Sequence, residues 1–222
     1  MSEVKTTMDE ARELVADPVL WPKIRDLLWD FAPQVHGSWI AGIDGHDALP
    51  DLASLLPSSH RLKVFVLSSL GVEPCFHAFP KDDWSRLLLL DGAALLSIAK
   101  WLGALACADA LRRVTGGAAV RELKAGLHGV YPEVFGFTAY FKGLSSCGVA
   151  EVQGPQEVVE SGCRMLFSIV HGLAEPLRRR FELKLPKNLC EACQAAPPLE
   201  MDAGAVRKLL KLKFPEAYRI CC

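Results

Sequence analysis

The sequence predicts a mainly α-helical protein: a single globular multi-helix domain with irregular N-terminal connections and little or no sheet. Three observations carry that expectation. Alternating runs rich in Val, Ile and Thr, the mark of strands, are scarce; only Leu62–Leu67 (LKVFVL) and Phe181–Leu185 (FELKL) qualify. Between Pro155 and Arg180, apolar residues recur at spacings of four and three: Val159, Cys163, Leu166, Val170, Leu173 and Leu177. And "RLLLLDGAALLSIAKWLGALACADALRRV", Arg86–Val114, is apolar on nearly every side, as a helix at the centre of a fold must be.

Taken in order, Thr7 or Asp9 can cap a first helix running to about Val15. Pro22 suits the start of a second near Lys23–Phe31, because a helix's first turn needs no N–H from it. Residues 33–60, rich in Gly, Pro, Asp and Ser, read as an irregular connection, and a helix near His60–Leu70 ends at Gly71. The stretch GVEPCFHAFPKDDW is a proline-broken loop.

The apolar segment that follows has the hydropathy of a membrane span. A span needs about 20 predominantly apolar residues, and a charge at mid-bilayer costs about 3 kcal/mol. Only 17 residues separate Asp91 from Asp109, with Lys100 halfway. On a helical wheel Asp91 and Asp109 coincide and Lys100 lies opposite, which gives a core helix two narrow wet edges. The expectation is therefore a buried helix over 92–114, with Asp91 as its cap.

Thr115-Gly116-Gly117 stops that helix. Ala118–Leu127 begins another, and Glu133–Phe141 a third after Gly129 and Pro132. Over Pro155–Arg180, Glu157, Glu160, Arg164, His171, Glu175 and Arg178 share the polar face, and Pro176 should kink or end the helix. Lys187–Leu199 reads as a linker before a last helix near Asp202–Phe214. Two segments are expected: an N-terminal one over 1–60 packing on a core domain over 61–222. Trp21, Trp29, Trp39, Trp84 and Trp101 are read as core.

Net charge is −1, which argues against a general nucleic-acid binder. The charge is polarised along the chain. Residues 1–60 carry four Lys/Arg against ten Asp/Glu, whereas residues 176–222 carry ten against five. The N-terminal stretch lacks a basic region followed by an apolar run, so a secretory signal is not expected, and the eight cysteines read as cytoplasmic thiols.

Few residues suggest chemistry. Cys190-Glu-Ala-Cys193 could supply half a zinc site, but no second CxxC and no HxxxH completes it, and a thioredoxin-like motif needs a strand before it. Cys75-Phe76-His77 lacks a third member for nucleophilic catalysis. Cys221-Cys222 resembles a prenylated GTPase tail, but GxxxxGK[ST] is absent, as are GxSxG and HExxH. Arg178, Arg179 and Arg180, with Arg207, Lys208 and Lys211 on one face of the last helix, read either as a simply solvated basic face or as a docking surface for an acidic partner. Asp9, Glu10, Glu13 and Asp26 form its acidic counterpart near the N-terminus.

Three segments, "AKWLGALACADALRRV", "SGCRMLFSIVHGLAEPLRRRFELKLP" and "VRKLLKLKFPEAYRICC", resemble the SctK/YscK family of type III secretion over roughly residues 86–222. The shared features are a Leu/Ala/Gly-rich helix ending at Arg112-Arg113, a helix introduced by Ser161-Gly162 and running to Leu183–Pro186, and a closing amphipathic helix over Lys208–Pro215. The resemblance implies a helical, non-enzymatic cytoplasmic adaptor without a cofactor, peripheral to the inner membrane through its partners. Family members link the ring protein SctD to the pod protein SctQ, with SctL and SctN beyond. The competing expectation is a small helical thiol-redox or zinc protein built on Cys190 and Cys193.

Overall fold

The computed structural model describes residues 16–43, 52–73, 79, 84–141, 144, 151–195 and 203–222. The expected first helix, with Asp9, Glu10 and Glu13, and the Cys75-Phe76-His77 triplet lie outside them. The protein is mainly helical, and no strand occurs among the described residues. The helices are α1 (Leu20–Trp29), α2 (Gly37–Ile40), α3 (Leu52–Leu55), α4 (His60–Ser69), α5 (Gly92–Ala106) and α6 (Ala108–Arg113). There follow α7 (Gly117–Gly126), α8 (Pro155–Val170), α9 (Glu175–Leu183), α10 (Lys187–Gln194), α11 (Ala203–Lys213) and α12 (Pro215–Cys221). No helix among the described residues is long and apolar enough to cross a membrane.

Packing divides the chain into two compact units, the first drawn mainly from Met1–Asp91 and Leu173–Lys187, the second from Gly92–Gly172 and Asn188–Ile220. The division falls at Asp91, not at residue 60, because α4 and the 3-10 helix Ser85–Leu89 pack with the N-terminal elements.

In the first unit, Asp17 Oδ1 accepts from the Val19 and Leu20 N–H groups and starts α1. Those two bonds hold its carboxyl below the usual carboxylate range. Leu20, Ile24, Leu27 and Leu28 bury one face of α1. Trp29, expected in the core, is half exposed and meets Trp21 edge-on at 5.8 Å. LKVFVL lies within α4. Ser59 Oγ accepts from Leu62 N–H at its start. At its end Gly71 takes φ +67°, letting Val72 N–H reach Leu67 O and Gly71 N–H reach Ser68 O, which satisfies carbonyls the helix leaves open.

The segment 173–187 threads this unit with buried cations. Arg180 is 2% exposed, and its guanidinium donates to the carbonyls of Leu27, Glu73 and Pro176. Lys184 is 1% exposed; its Nζ donates to Leu88 O and Leu90 O, at the end of the 3-10 helix. Trp39 Nε1 donates to Leu185 O (2.8 Å), and Arg179 lies over the Trp39 ring. FELKL is thus the end of α9 and the turn after it.

In the second unit, α5 and α8 pack closely. A Cβ on Gly103 would fall 1.8 Å from Val158 O, and one on Gly162 1.8 Å from Ala99 O. Only glycine lets the two backbones approach this far. The buried helix expected over 92–114 is two helices: α5 starts just past Asp91, and Cys107, with ψ near 8°, interrupts the run before α6. Hydrogen bonds Cys107 N–H to Gly103 O and Leu111 N–H to Cys107 O persist across the break. Leu95, Ile98 and Trp101–Ala106 are buried, Asp91 and Asp109 exposed and Lys100 half-buried.

The expected stripe on α8 is buried at Val159, Cys163, Leu166 and Val170, and wider, because Val158, Ser161, Gly162 and Met165 join it. Arg164, expected at the surface, is half-buried. The helix ends at Val170, and Pro176 sits in the first turn of α9, where its missing N–H removes no helix bond. Glu133–Phe141 forms two 3-10 turns, not an α-helix. The expected linker after Pro186 begins with α10, whose Leu189, Cys190 and Cys193 share a buried face. Pro215 opens a further helix, α12, where the sequence suggested only an end.

Candidate functional site

The basic residues singled out in the sequence separate in the structure. Arg180 is a core residue, so it offers nothing to a partner. Arg179 is held by Trp39, whose ring centroid lies 4.9 Å from its guanidinium, and by an ion pair to Glu182 (3.0 Å). Arg178 is half-buried. Arg179 and Arg180 thus brace the first unit through these contacts. Asp26 is half-buried and pairs with its neighbour Arg25 at 2.8 Å.

The second part of the expected surface stays open. On α11, Val206, Leu209 and Leu210 turn inward, while Arg207, Lys208 and Lys211 are exposed on one face. Leu212 joins that face and is 49% exposed. Lys208 Nζ donates to Tyr140 O at 3.1 Å and lies 5.5 Å from the Tyr140 ring centroid. Tyr140 is itself 60% exposed. Around α11 thus lies a patch of three cations, an aromatic ring and an aliphatic side chain.

Beside it, cations and rings pair in series. Lys213 Nζ lies 4.0 Å from the Phe137 ring centroid and 4.5 Å from that of Trp101, and pairs with Glu133. Arg112 bonds Asp109 and Thr138 Oγ1 and sits over Phe135. A cation over a ring is attracted by the ring's negative face, which favours these placements by about 0.5–1 kcal/mol each. The sequence reading missed this arrangement; the signal was the aromatic run Tyr131, Phe135, Phe137, Tyr140 and Phe141.

Cys190 and Cys193 are both buried within α10. No group of three or more His, Cys, Asp or Glu side chains among the described residues is placed to hold a metal ion. Cys193 instead faces α8, where its thiol donates to Glu160 O at 3.8 Å. The adjoining Cys193 sulfur and burial push the Cys163 thiol up. Cys193, with Cys163 beside it and Arg164 nearby, is held below the ordinary thiol value, although burial and the Glu160 charge oppose this.

No family model matches the sequence, and neither a curated protein nor a solved structure matches it.

Proposed function

We propose that this chain is a non-enzymatic helical adaptor of a type III secretion sorting platform, of the SctK/YscK kind, joining an SctD-type ring protein to an SctQ-type pod protein on the cytoplasmic side of the inner membrane. SctL and SctN would lie beyond the pod protein. One observation carries the adaptor reading: the exposed face of α11, where Arg207, Lys208 and Lys211 stand beside Tyr140 and Leu212. A tyrosine and an aliphatic side chain supply contact area, and a ring of cations supplies orientation and selection for an acidic surface. The resemblance of residues 86–222 to the family supports the choice of platform. The second contact falls to the acidic N-terminal segment around Asp9, Glu10, Glu13 and Asp26, which suits a basic partner.

The test is reversal of Arg207, Lys208 and Lys211 to Glu, followed by co-precipitation with each candidate partner. One interaction should be lost and the other kept, with the melting temperature within a few degrees of wild type, because the three side chains are exposed. Capture of both partners at wild-type levels by a folded triple variant refutes the assignment of this face.

A further inference from the structure

We propose that the outer face of α4 docks a second copy of this chain, the two α4 helices packing antiparallel across a two-fold axis. Seven large hydrophobic side chains are exposed among the described residues, and five of them, Val19, Trp29, Leu55, Val64 and Phe65, belong to the first unit. Val64 and Phe65 stand together on α4. With Arg61 and Ser68 they are all exposed, and their spacing of three and four puts them on one side of the helix. Val66 is buried on the opposite side. The Lys63–Asp30 ion pair (2.8 Å) ties α4 to the end of α1, where Trp29, next in sequence to Asp30, is half exposed. Exposed apolar side chains gathered on one helix face mark a contact surface, whereas single ones do not.

The charge on α4 identifies the occupant. The helix, HRLKVFVLSS, carries Arg61 and Lys63 near its start and no acidic residue anywhere. A helix's N-terminus bears partial positive charge and its C-terminus partial negative charge, so this placement is the reverse of what a lone helix favours. Asp30 answers Lys63 within the chain. An antiparallel copy of α4 answers Arg61, because it brings a helix C-terminal end, with two serine hydroxyls, to the exposed guanidinium. In that register Arg61 faces the partner's Ser68, and Val64 faces the partner's Phe65. A parallel pairing would instead set Arg61 against a second Arg61. The face is its own complement, as a two-fold contact requires, with apolar side chains at the centre and polar ones at the rim. A patch of this size suits a weak, transient dimer. It lies in the first unit and owes nothing to α11 or to the adaptor reading.

Sedimentation of the full chain between about 5 and 500 µM tests the proposal. The wild type should pass from monomer to dimer over that range. Phe65→Glu should raise the dimer dissociation constant by about tenfold or more. Arg61→Glu should raise it by about threefold or more, and Ser68→Arg added to Arg61→Glu should return it to within about twofold of wild type. All three substitutions fall on exposed positions, so circular dichroism should show the helix content kept. The Glu triple variant at Arg207, Lys208 and Lys211 should dimerise as the wild type does; a monomeric triple variant would place the contact on α11 and overturn the inference. A wild type that stays monomeric at about 500 µM overturns it too, even if its α4 face captures a different protein. So does a folded Phe65→Glu that dimerises as tightly as wild type. Failure of Ser68→Arg to restore Arg61→Glu overturns the antiparallel register. If Phe65→Glu does not fold, Arg61→Glu and its rescue decide.

Discussion

Two buried cations in the first unit show how a charge survives in a core. Each N–H of Arg180 that points inward finds a carbonyl, so the guanidinium stays hydrogen-bonded where its hydration is lost. Lys184 has the same arrangement with two carbonyls but a weaker hold on its proton. Burial lowers its pKa from 10.5 to about 7, with Asp91 opposing that shift and Lys23 adding to it. The folded value lies below the unfolded one, so between them the unfolded chain binds more protons and stability rises with pH. Raising the pH from about 7 to about 9 should therefore add about 2 kcal/mol to the stability of the wild type relative to Lys184→Met. Urea denaturation at the two pH values measures this; equal slopes for the two proteins would mean that Lys184 does not titrate there. The sequence concealed both roles. A run of three arginines is usually solvated, and nothing local reveals that carbonyls over ninety residues away will meet Arg180 and Lys184.

Among the elements, the closest approach is that of α5 and α8. Alanine would ordinarily improve a helix over glycine by about 1 kcal/mol. At Gly103 and Gly162 the added Cβ meets a backbone carbonyl, which cannot swing aside as a flexible side chain would. Gly103→Ala and Gly162→Ala should each destabilise by about 1–3 kcal/mol or more. The pair together should cost less than the sum, since one substitution already parts the helices. Gly117→Ala, with nothing nearer than the Arg121 guanidinium at 3.7 Å, should be neutral or mildly stabilising. Urea midpoints for the four variants test the set, and a neutral Gly103→Ala would show that the helices do not touch there. The helical character of these segments was legible from period and punctuation: Gly71, Gly116-Gly117 and Pro155 all mark boundaries the structure keeps. Cys107 carries no such mark, because its departure from helical ψ leaves the flanking hydrogen bonds in place. Helix α10 was hidden because prolines bracket its short sequence at Pro186 and Pro197-Pro198, leaving only Leu189, Cys190 and Cys193 as its buried face.

For the molecule as a whole, charge polarity was legible and the partition into units was not. Composition along the chain shows the basic C-terminal portion directly, and the exposed α11 face bears its charge at Arg207, Lys208 and Lys211. Which cations stay available depends on tertiary contacts, and these withdraw Arg179, Arg180 and Lys184 while leaving α11 open. If the α11 face meets an acidic surface, the encounter is steered by the field. Raising salt from about 0.1 M to 1 M cuts the Debye length from about 10 to 3 Å. The association rate should then fall by about tenfold or more, with a smaller change in dissociation. Stopped-flow mixing of wild type and the Glu triple variant measures it, and a salt-independent rate for the wild type would move the contact away from α11. The boundary at Asp91 has no local sign because residues 173–187 complete the first unit from far along the sequence.

That return of the chain has a consequence for synthesis. At about 5–20 residues per second, residues 173–187 leave the ribosome on the order of ten seconds after Asp91. Until then the nascent first unit lacks the guanidinium that bonds Leu27 and Glu73 and the ammonium that bonds Leu88 and Leu90. It also lacks Leu177 and Phe181, which are buried in the finished fold. Translation order therefore runs against the packing of this unit: the apolar face of Ile24, Leu27 and Phe31 is made well before the segment that completes the unit around it.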